Sequence, residues 1–262
     1  MNLCKGNKTL SLEVKNFILN VRDAKEESIT DYLVWKWREM DPKFKYLKVS
    51  SFTRHEERNI SGADIELELW LVGAKYHFSL VFQAKKFLEP YGTYVAKLNY
   101  PAGSQQQLVT LLAYAQKNHR LPFYLFYSVP DANTRVMCRV QDLCDTAIFM
   151  ADAYSVKSFA DGLHGNRLSK NQLLMTTNPL HCLFCCPLGS VPAFFKSYFP
   201  SLAETAEPTR NEVLPRYVRM LLDDRFLGSN TEETLAIIHQ HELRMFRSVG
   251  VYDMRGLDDK LQ

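Results

Sequence analysis

The chain has no apolar run long enough to cross a bilayer. Its most apolar segment, Leu180 to Phe195, is broken by Pro187, Gly189 and Pro192, whereas a spanning helix needs about 20 consecutive apolar residues. The first residues, Met1-Asn2-Leu3-Cys4-Lys5, lack an apolar core followed by a small-residue cleavage site, so the expected compartment is the cytoplasm, with no membrane partner. No internal repeat is visible, which sets aside solenoids and propellers. Helicase, methyltransferase and ligand-sensing motifs are also missing. A strong charge bias is absent: 32 Lys and Arg against 29 Asp and Glu leave a formal net charge of +3.

Cysteine is present but does not form a framework. Cys4, Cys138, Cys144, Cys182, Cys185 and Cys186 are irregularly spaced, and in a cytoplasmic protein they read as reduced thiols. The run His181-Cys182-Leu183-Phe184-Cys185-Cys186 contains CxxC, but zinc sites usually draw on two separated pairs. With Leu180, Leu183 and Phe184 around them, these cysteines read as core residues of a buried strand. A zinc-stabilised adaptor built on Cys182, Cys185 and Cys186 is the alternative, and it predicts stoichiometric zinc.

What is there suits a globular fold. The 262 residues are 46% hydrophobic and 12% aromatic, enough for a sizeable core. Charge is uneven. Met1 to Pro130 carries 18 Lys and Arg against 13 Asp and Glu, and the remainder 14 against 16, so the basic excess lies in the first half, as phosphate binding would want.

The most informative stretch begins at Gly62-Ala63-Asp64. From Ala63 to Val72, Ile65, Leu67, Leu69 and Leu71 alternate with Asp64, Glu66, Glu68 and Trp70, the period of a strand with one buried face. From Tyr76 to Phe87, Phe78, Leu80, Phe82 and Ala84 take one side and Ser79, Val81, Gln83 and Lys85 the other. Gly73-Ala74-Lys75 is short enough to close a hairpin. Antiparallel pairing then brings Asp64, near the start of the first strand, to the same end as Gln83 and Lys85. Carboxylates there would hold a hard divalent cation, Gln83 would add an amide oxygen or orient water, and Lys85 would stabilise developing negative charge. The bland reading is an amphipathic hairpin with a solvated charged face.

Neighbouring residues extend the pattern. Glu26-Glu27-Ser28-Ile29-Thr30-Asp31 reads as a helix start with Ser28 as N-cap and Asp31 at N3, or simply as an acidic first turn. Glu66 shares the Asp64 face and is a second candidate ligand, whereas Glu68 reads as solvated; Glu56 and Glu57 are further acidic residues before the turn. Lys86 points away from Lys85 and is the second choice of lysine. Gln105, Gln106 and Gln107 open a helix in which Leu108, Leu111, Leu112 and Ala115 fall at helical spacing, and they read as exposed helix surface. Leu121 to Tyr127 reads as a buried strand and Tyr46 to Arg54 as the first strand. The order is therefore helix, three strands, helix, strand.

That order, with Asp64 and Gln83-Ala84-Lys85, resembles the PD-(D/E)xK superfamily of restriction-endonuclease-like nucleases, over roughly Glu26 to Val129. Gln83 corresponds to the QxK variant of Mrr-like enzymes, and Glu27 looks like the helix-borne acidic residue of the resolvase-like branch. Ala63, not Pro, precedes Asp64. The resemblance implies an α/β fold with a restriction-endonuclease-like αβββαβ core and a mixed sheet. It implies a Mg²⁺-dependent endonuclease, with Mn²⁺ as a substitute, in which Glu27, Asp64, Gln83 and Glu66 surround the metal and Lys85 steadies the attacking water or the transition state. DNA is the implied substrate, with Gln105, Gln106 and Gln107 at the helix start where related nucleases place polar residues against it, and RNA is the other nucleic acid it admits. A homodimer, a controlling partner protein and a role in bacterial or phage defence belong to the same expectation. Against it stands a catalytically silent nucleic-acid-binding or protein-interaction module, favoured by the neutral Gln83 where an acid is usual.

Beyond the core, Asp145 to Ala153 reads as a strand, Ser155 to Leu163 as a helix and Gln172 to Thr176 as a strand. Val191 to Phe199, Val213 to Asp224 and Thr231 to Ser248 have helical spacing. Arg216 and Arg219, one turn apart, read as a paired surface face, with phosphate contact as the alternative. The expected organisation is a nuclease-like domain over residues 1–202 with a sheet extension. A mostly helical C-terminal region over 203–262 would pack on it, with Ala203 to Arg210 as the loop between them.

Overall fold

A computed structural model describes residues 3–41, 46–51, 65–102, 105–138, 143–185, 191–202, 206–223 and 246–256. Helices α1 (Leu3–Asn20) and α2 (Glu26–Met40) lead into strands β1 (Leu47–Ser51), β2 (Ile65–Val72) and β3 (Tyr76–Phe87). A connection holds β4 (Tyr91–Gly92), α3 (Tyr94–Leu98), β5 (Pro101–Ala102) and β6 (Gln105–Gln106), and ends in α4 (Gln107–Lys117) and β7 (Leu121–Ser128). Then come β8 (Ile148–Asp152), α5 (Ala153–Ala160), β9 (Leu168–Ser169), α6 (Lys170–Leu174), β10 (Asn178–Pro179), α7 (Cys182–Cys185) and α8 (Val191–Tyr198). Last are β11 (Thr209–Arg210), α9 (Arg216–Leu222) and β12 (Phe246–Asp253).

The hairpin read from the sequence is present: β2 and β3 pair antiparallel, with Leu67 opposite Phe82 and Leu71 opposite Phe78, across a turn closed by Gly73 N–H to Tyr76 O at 2.9 Å. The single buried face is corrected, because all eight residues of β2 are buried. The sheet lies between two helical layers. On one face Leu67, Leu69, Phe82 and Phe123 pack with Val14, Leu33, Trp37 and Phe195 from α1, α2 and α8. On the other, Trp70, Val81, Tyr124 and Phe126 pack with Leu111, Val156 and Val218 from α4, α5 and α9. Period two shows which residues share a face; it does not show that the second face is covered.

The fold is α/β with a mixed, mostly antiparallel sheet. Its order is β1-β12-β2-β3-β7-β8-β10, with β11 on β3; β12–β2 and β3–β7 are the parallel pairs. β1 is not the direct neighbour of β2. β12 separates them, antiparallel to β1 and parallel to β2. The helical reading of Thr231 to Ser248 is corrected where it overlaps this strand, and both β11 and β12 come from the 203–262 region expected to be mostly helical. In a strand enclosed on both sides, Val249 and Val251 are fully buried. Gly250 keeps the space that Leu69 and Trp37 fill, since a Cβ there would stand 3.1 Å from Leu69 Cδ1.

Four local readings change. α2 starts at Glu26 with Lys25 at the N-cap, so Ser28 lies inside the first turn, where Glu26 and Glu27 meet the positive helix end. Residues 170–174 are helix, not strand, because Ser169 and Gln172 form a reciprocal capping box. The cysteine run is a helical turn, α7. Cys4 is bonded to Cys185 across a separation of 181 residues, which corrects the reading of all six cysteines as thiols; Cys186 lies outside the described residues. Cys138 and Cys182 are buried, with Sγ atoms 3.6 Å apart. Among the described residues no helix is long and apolar enough to cross a membrane.

Candidate active site

Gln83 and Lys85 alternate with Phe82 and Ala84 along β3, so they share the face covered by α4. The register of β3 with β7 sets Gln83 beside Tyr124 and Lys85 beside Phe126, at the end of the sheet where the parallel pair finishes. α4 begins there. Gln107, its first residue, has its N–H bound to Tyr100 O at 3.0 Å, which turns the side chain of Gln107 onto β3. Gln83 Nε2 and Lys85 Nζ both donate to Gln107 Oε1, each at 2.7 Å. One amide oxygen thus gathers both members of the QxK pair. The reading of Gln107 as exposed helix surface is corrected: it is buried, as is Gln83.

Oxygen atoms face this corner. Gln83 Oε1 is buried with no hydrogen-bond partner. Glu66, also buried, stands one residue beyond the Leu67–Phe82 pair; the register carried one step further sets it opposite Gln83. Asp64, the residue before Glu66's neighbour Ile65, lies outside the described residues, as do Glu56 and Glu57.

Glu27 sits half-buried in the first turn of α2, in the other helical layer but at the same end of the sheet. The bridge between α2 and β3 runs through its neighbour: Glu26 Oε1 accepts from Lys86 N–H at 3.2 Å. Lys86 turns to that layer and donates to the carbonyls of Arg22, at 2.7 Å, and Ala24. Burial lowers the Lys86 pKa, with Glu26 opposing that shift. Lys86 therefore anchors the loop before α2, and Lys85 is the lysine of the corner. Between the layers, Tyr127 Oη lies 2.8 Å from Thr30 Oγ1. Burial raises the Tyr127 pKa, and the charges of Glu66, Asp31 and Glu26 raise it further, so these three carboxylates cast a negative field on one point.

Further along β2, Glu68 is corrected from solvated to buried. Its Oε1 accepts from Arg120 Nε at 2.9 Å and its Oε2 from Tyr217 Oη at 2.6 Å, while the Arg120 guanidinium lies 4.4 Å from the Trp70 ring centroid. His119, in the left-handed region at φ 54°, ends α4 so that Arg120 turns back onto the sheet, with its N–H on Ala115 O at 2.8 Å. This cluster is enclosed by Trp70 and Tyr217 and reads as a structural clamp between α4, α9 and β2. Gln107 and Arg120 carry no motif spacing of their own in the sequence; the Gln105–Gln107 run was the one available signal for Gln107.

Among the described residues no three His, Cys, Asp or Glu side chains come together as a metal site. No curated protein and no solved structure matches the chain. A family model described as a family of unknown function, DUF6615, matches residues 3–248, and the chain belongs to that family.

Proposed function

We propose that the chain is a metal-dependent nuclease that hydrolyses phosphodiester bonds, with DNA as its first substrate class. The observation that carries the reading is the convergence of Gln83 and Lys85 on Gln107, with Glu66 buried on the same face. The order α2, β1, β2, β3, α4, β7 adds support, since it is the αβββαβ order of restriction-endonuclease-like folds with β12 inserted.

The donor set suits a hard cation. Gln83 Oε1 is a buried oxygen without a hydrogen-bond partner, Glu66 offers a carboxylate, and the reading assigns Asp64 and Glu27 as the other acidic ligands. Mg²⁺ or Mn²⁺ supplies Lewis-acid polarisation of a phosphoryl oxygen and a bound water of lowered pKa. Lys85 meets the negative charge that develops on the phosphoryl oxygens. Gln107 accepts from both Lys85 and Gln83, so the ammonium is oriented before substrate arrives.

The test is cleavage of supercoiled plasmid, linear duplex, single-stranded DNA and RNA with Mg²⁺, Mn²⁺ or EDTA, by wild type, Asp64→Ala and Lys85→Ala. Metal-dependent cutting by the wild type, lost in both folded variants, supports the nuclease. A wild type that binds nucleic acid without metal and cuts nothing supports a second reading, the silent binding module. That reading is favoured by the neutral Gln83, which lowers the ligand charge by one. A controlling partner protein and a homodimer, as in enzymes that cut both strands, are further parts of the nuclease proposal.

A further inference from the structure

The connection between β3 and α4 joins the two elements of the Gln83–Lys85–Gln107 corner, and it is fastened back to them at its midpoint and its end. Midway along it, Lys97 of α3 donates to Lys86 O at 3.4 Å and lies within 5.9 Å of the ring centroids of Phe87 and Tyr94. At its end, Tyr100 O accepts the Gln107 N–H. A core function would bury the aromatic residues of such a connection, and Tyr94 is indeed buried. Tyr91 and Tyr100 are not; each is 58% exposed.

Cations accompany them. The pairing of β4 with β9 sets Tyr91 opposite Ser169, which brings the exposed Arg167 across, its guanidinium 5.1 Å from the Tyr91 ring centroid. Lys97 is exposed as well. A guanidinium beside an exposed tyrosine keeps its charge at the surface, where its N–H donors can meet an anion. Open aromatic faces interleaved with Lys and Arg are the recognition chemistry of an unpaired nucleic-acid strand: bases stack on rings, and phosphates meet the cations. A duplex conceals its base faces and would use the cations alone.

We propose that this connection, through Tyr91, Lys97 and Tyr100, together with Arg167 beside β9, is a binding surface for an unpaired nucleic-acid strand running to the Lys85 corner. The inference rests on the phosphodiester chemistry proposed above. It defines the substrate as one containing single-stranded nucleotides: a strand end, a gap, a loop or a displaced strand.

The test is fluorescence anisotropy in EDTA with a fluorescein-labelled mixed-sequence single strand, in DNA and RNA forms, and with the corresponding DNA duplex. Proteins are the full chain, Tyr91→Ala, Tyr100→Ala, Arg167→Ala and Tyr91→Trp, with folding checked by circular dichroism. The expected result is tighter binding of single strand than duplex, a loss of about tenfold for each alanine variant, and retention in Tyr91→Trp, which keeps a stacking face. Equal single-strand affinity in wild type and the alanine variants would overturn the surface, as would a preference for duplex. Cleavage by wild type against Lys85→Ala is run alongside. Metal-dependent cutting with tyrosine-independent binding sinks the surface and keeps the nuclease. Tyrosine-dependent strand binding without cutting sinks the nuclease and keeps the surface as that of a binding module.

Discussion

Lys85 Nζ lies 2.7 Å from Gln107 Oε1, and the second donor to that oxygen, Gln83 Nε2, is at the same distance. A helix that follows β3 after 19 residues of connection, 88–106, therefore helps to aim a lysine on β3. The amide oxygen is neutral, so it orients the ammonium without cancelling its charge, as a carboxylate in that place would.

Gln107→Ala removes one acceptor from both side chains at once. We expect metal-dependent cleavage to fall by about 10–100-fold, the usual cost of removing a group that orients a ligand or catalytic residue. Lys85→Ala should abolish cleavage. Single-turnover rates under saturating metal check this; a Gln107→Ala protein that cuts at the wild-type rate would remove Gln107 from the site.

Removing one partner of the Glu68–Arg120 pair leaves a buried charge uncompensated. Glu68→Ala and Arg120→Ala should each destabilise the fold by about 3–5 kcal/mol, and Tyr217→Phe by about 2 kcal/mol, for the loss of a hydrogen bond to a charged group. Urea unfolding midpoints give the answer, and a double-mutant cycle isolates the pair.

His181 is buried on α7's approach, its Nδ1 has no hydrogen-bond partner, and burial with the nearby Lys8 charge pushes its pKa from 6.5 down to about 4. The unfolded chain binds this proton more readily than the native one, so stability is complete above pH 6.5 and is lost as pH falls toward 4. The loss amounts to about 3 kcal/mol at most. Urea midpoints at about pH 7 and about pH 4.5 should differ in the wild type and differ less in His181→Leu.

The Cys4–Cys185 bond ties α1 to α7. Reduction, or Cys4→Ser, should lower stability by about 2–4 kcal/mol, while Cys144→Ser, at an exposed position, should change little. Thermal melts with and without dithiothreitol separate these cases.

The β2–β3 hairpin and the shared face of Gln83 and Lys85 were legible because both depend on a period of two and a short turn. Gln107 was visible only as one of three glutamines, since its role requires the connection to turn its side chain back. The Glu68–Arg120 pair was hidden for the same reason: 52 residues separate its partners, and only the packing of α4 on the sheet brings them together. The Cys4–Cys185 bond spans more of the chain still. β12 escaped because its residues from Ser248 to Asp253, buried throughout, show no alternation of apolar with polar residues, and its beginning merged with a run that keeps helical spacing.

β12 has a consequence for how the protein is made. During synthesis β1 and β2 leave the ribosome with a vacant place between them, and residues 246–253 are translated long after. Until they arrive, each strand keeps an unpaired edge, the state most open to pairing with another chain. β12, second from one edge of the sheet, is the last described strand in chain order, so the gap between β1 and β2 closes through a slow, sequence-distant contact. A nascent chain lacking that strand is therefore a split sheet, and any chaperone that attends this protein has those two edges to guard.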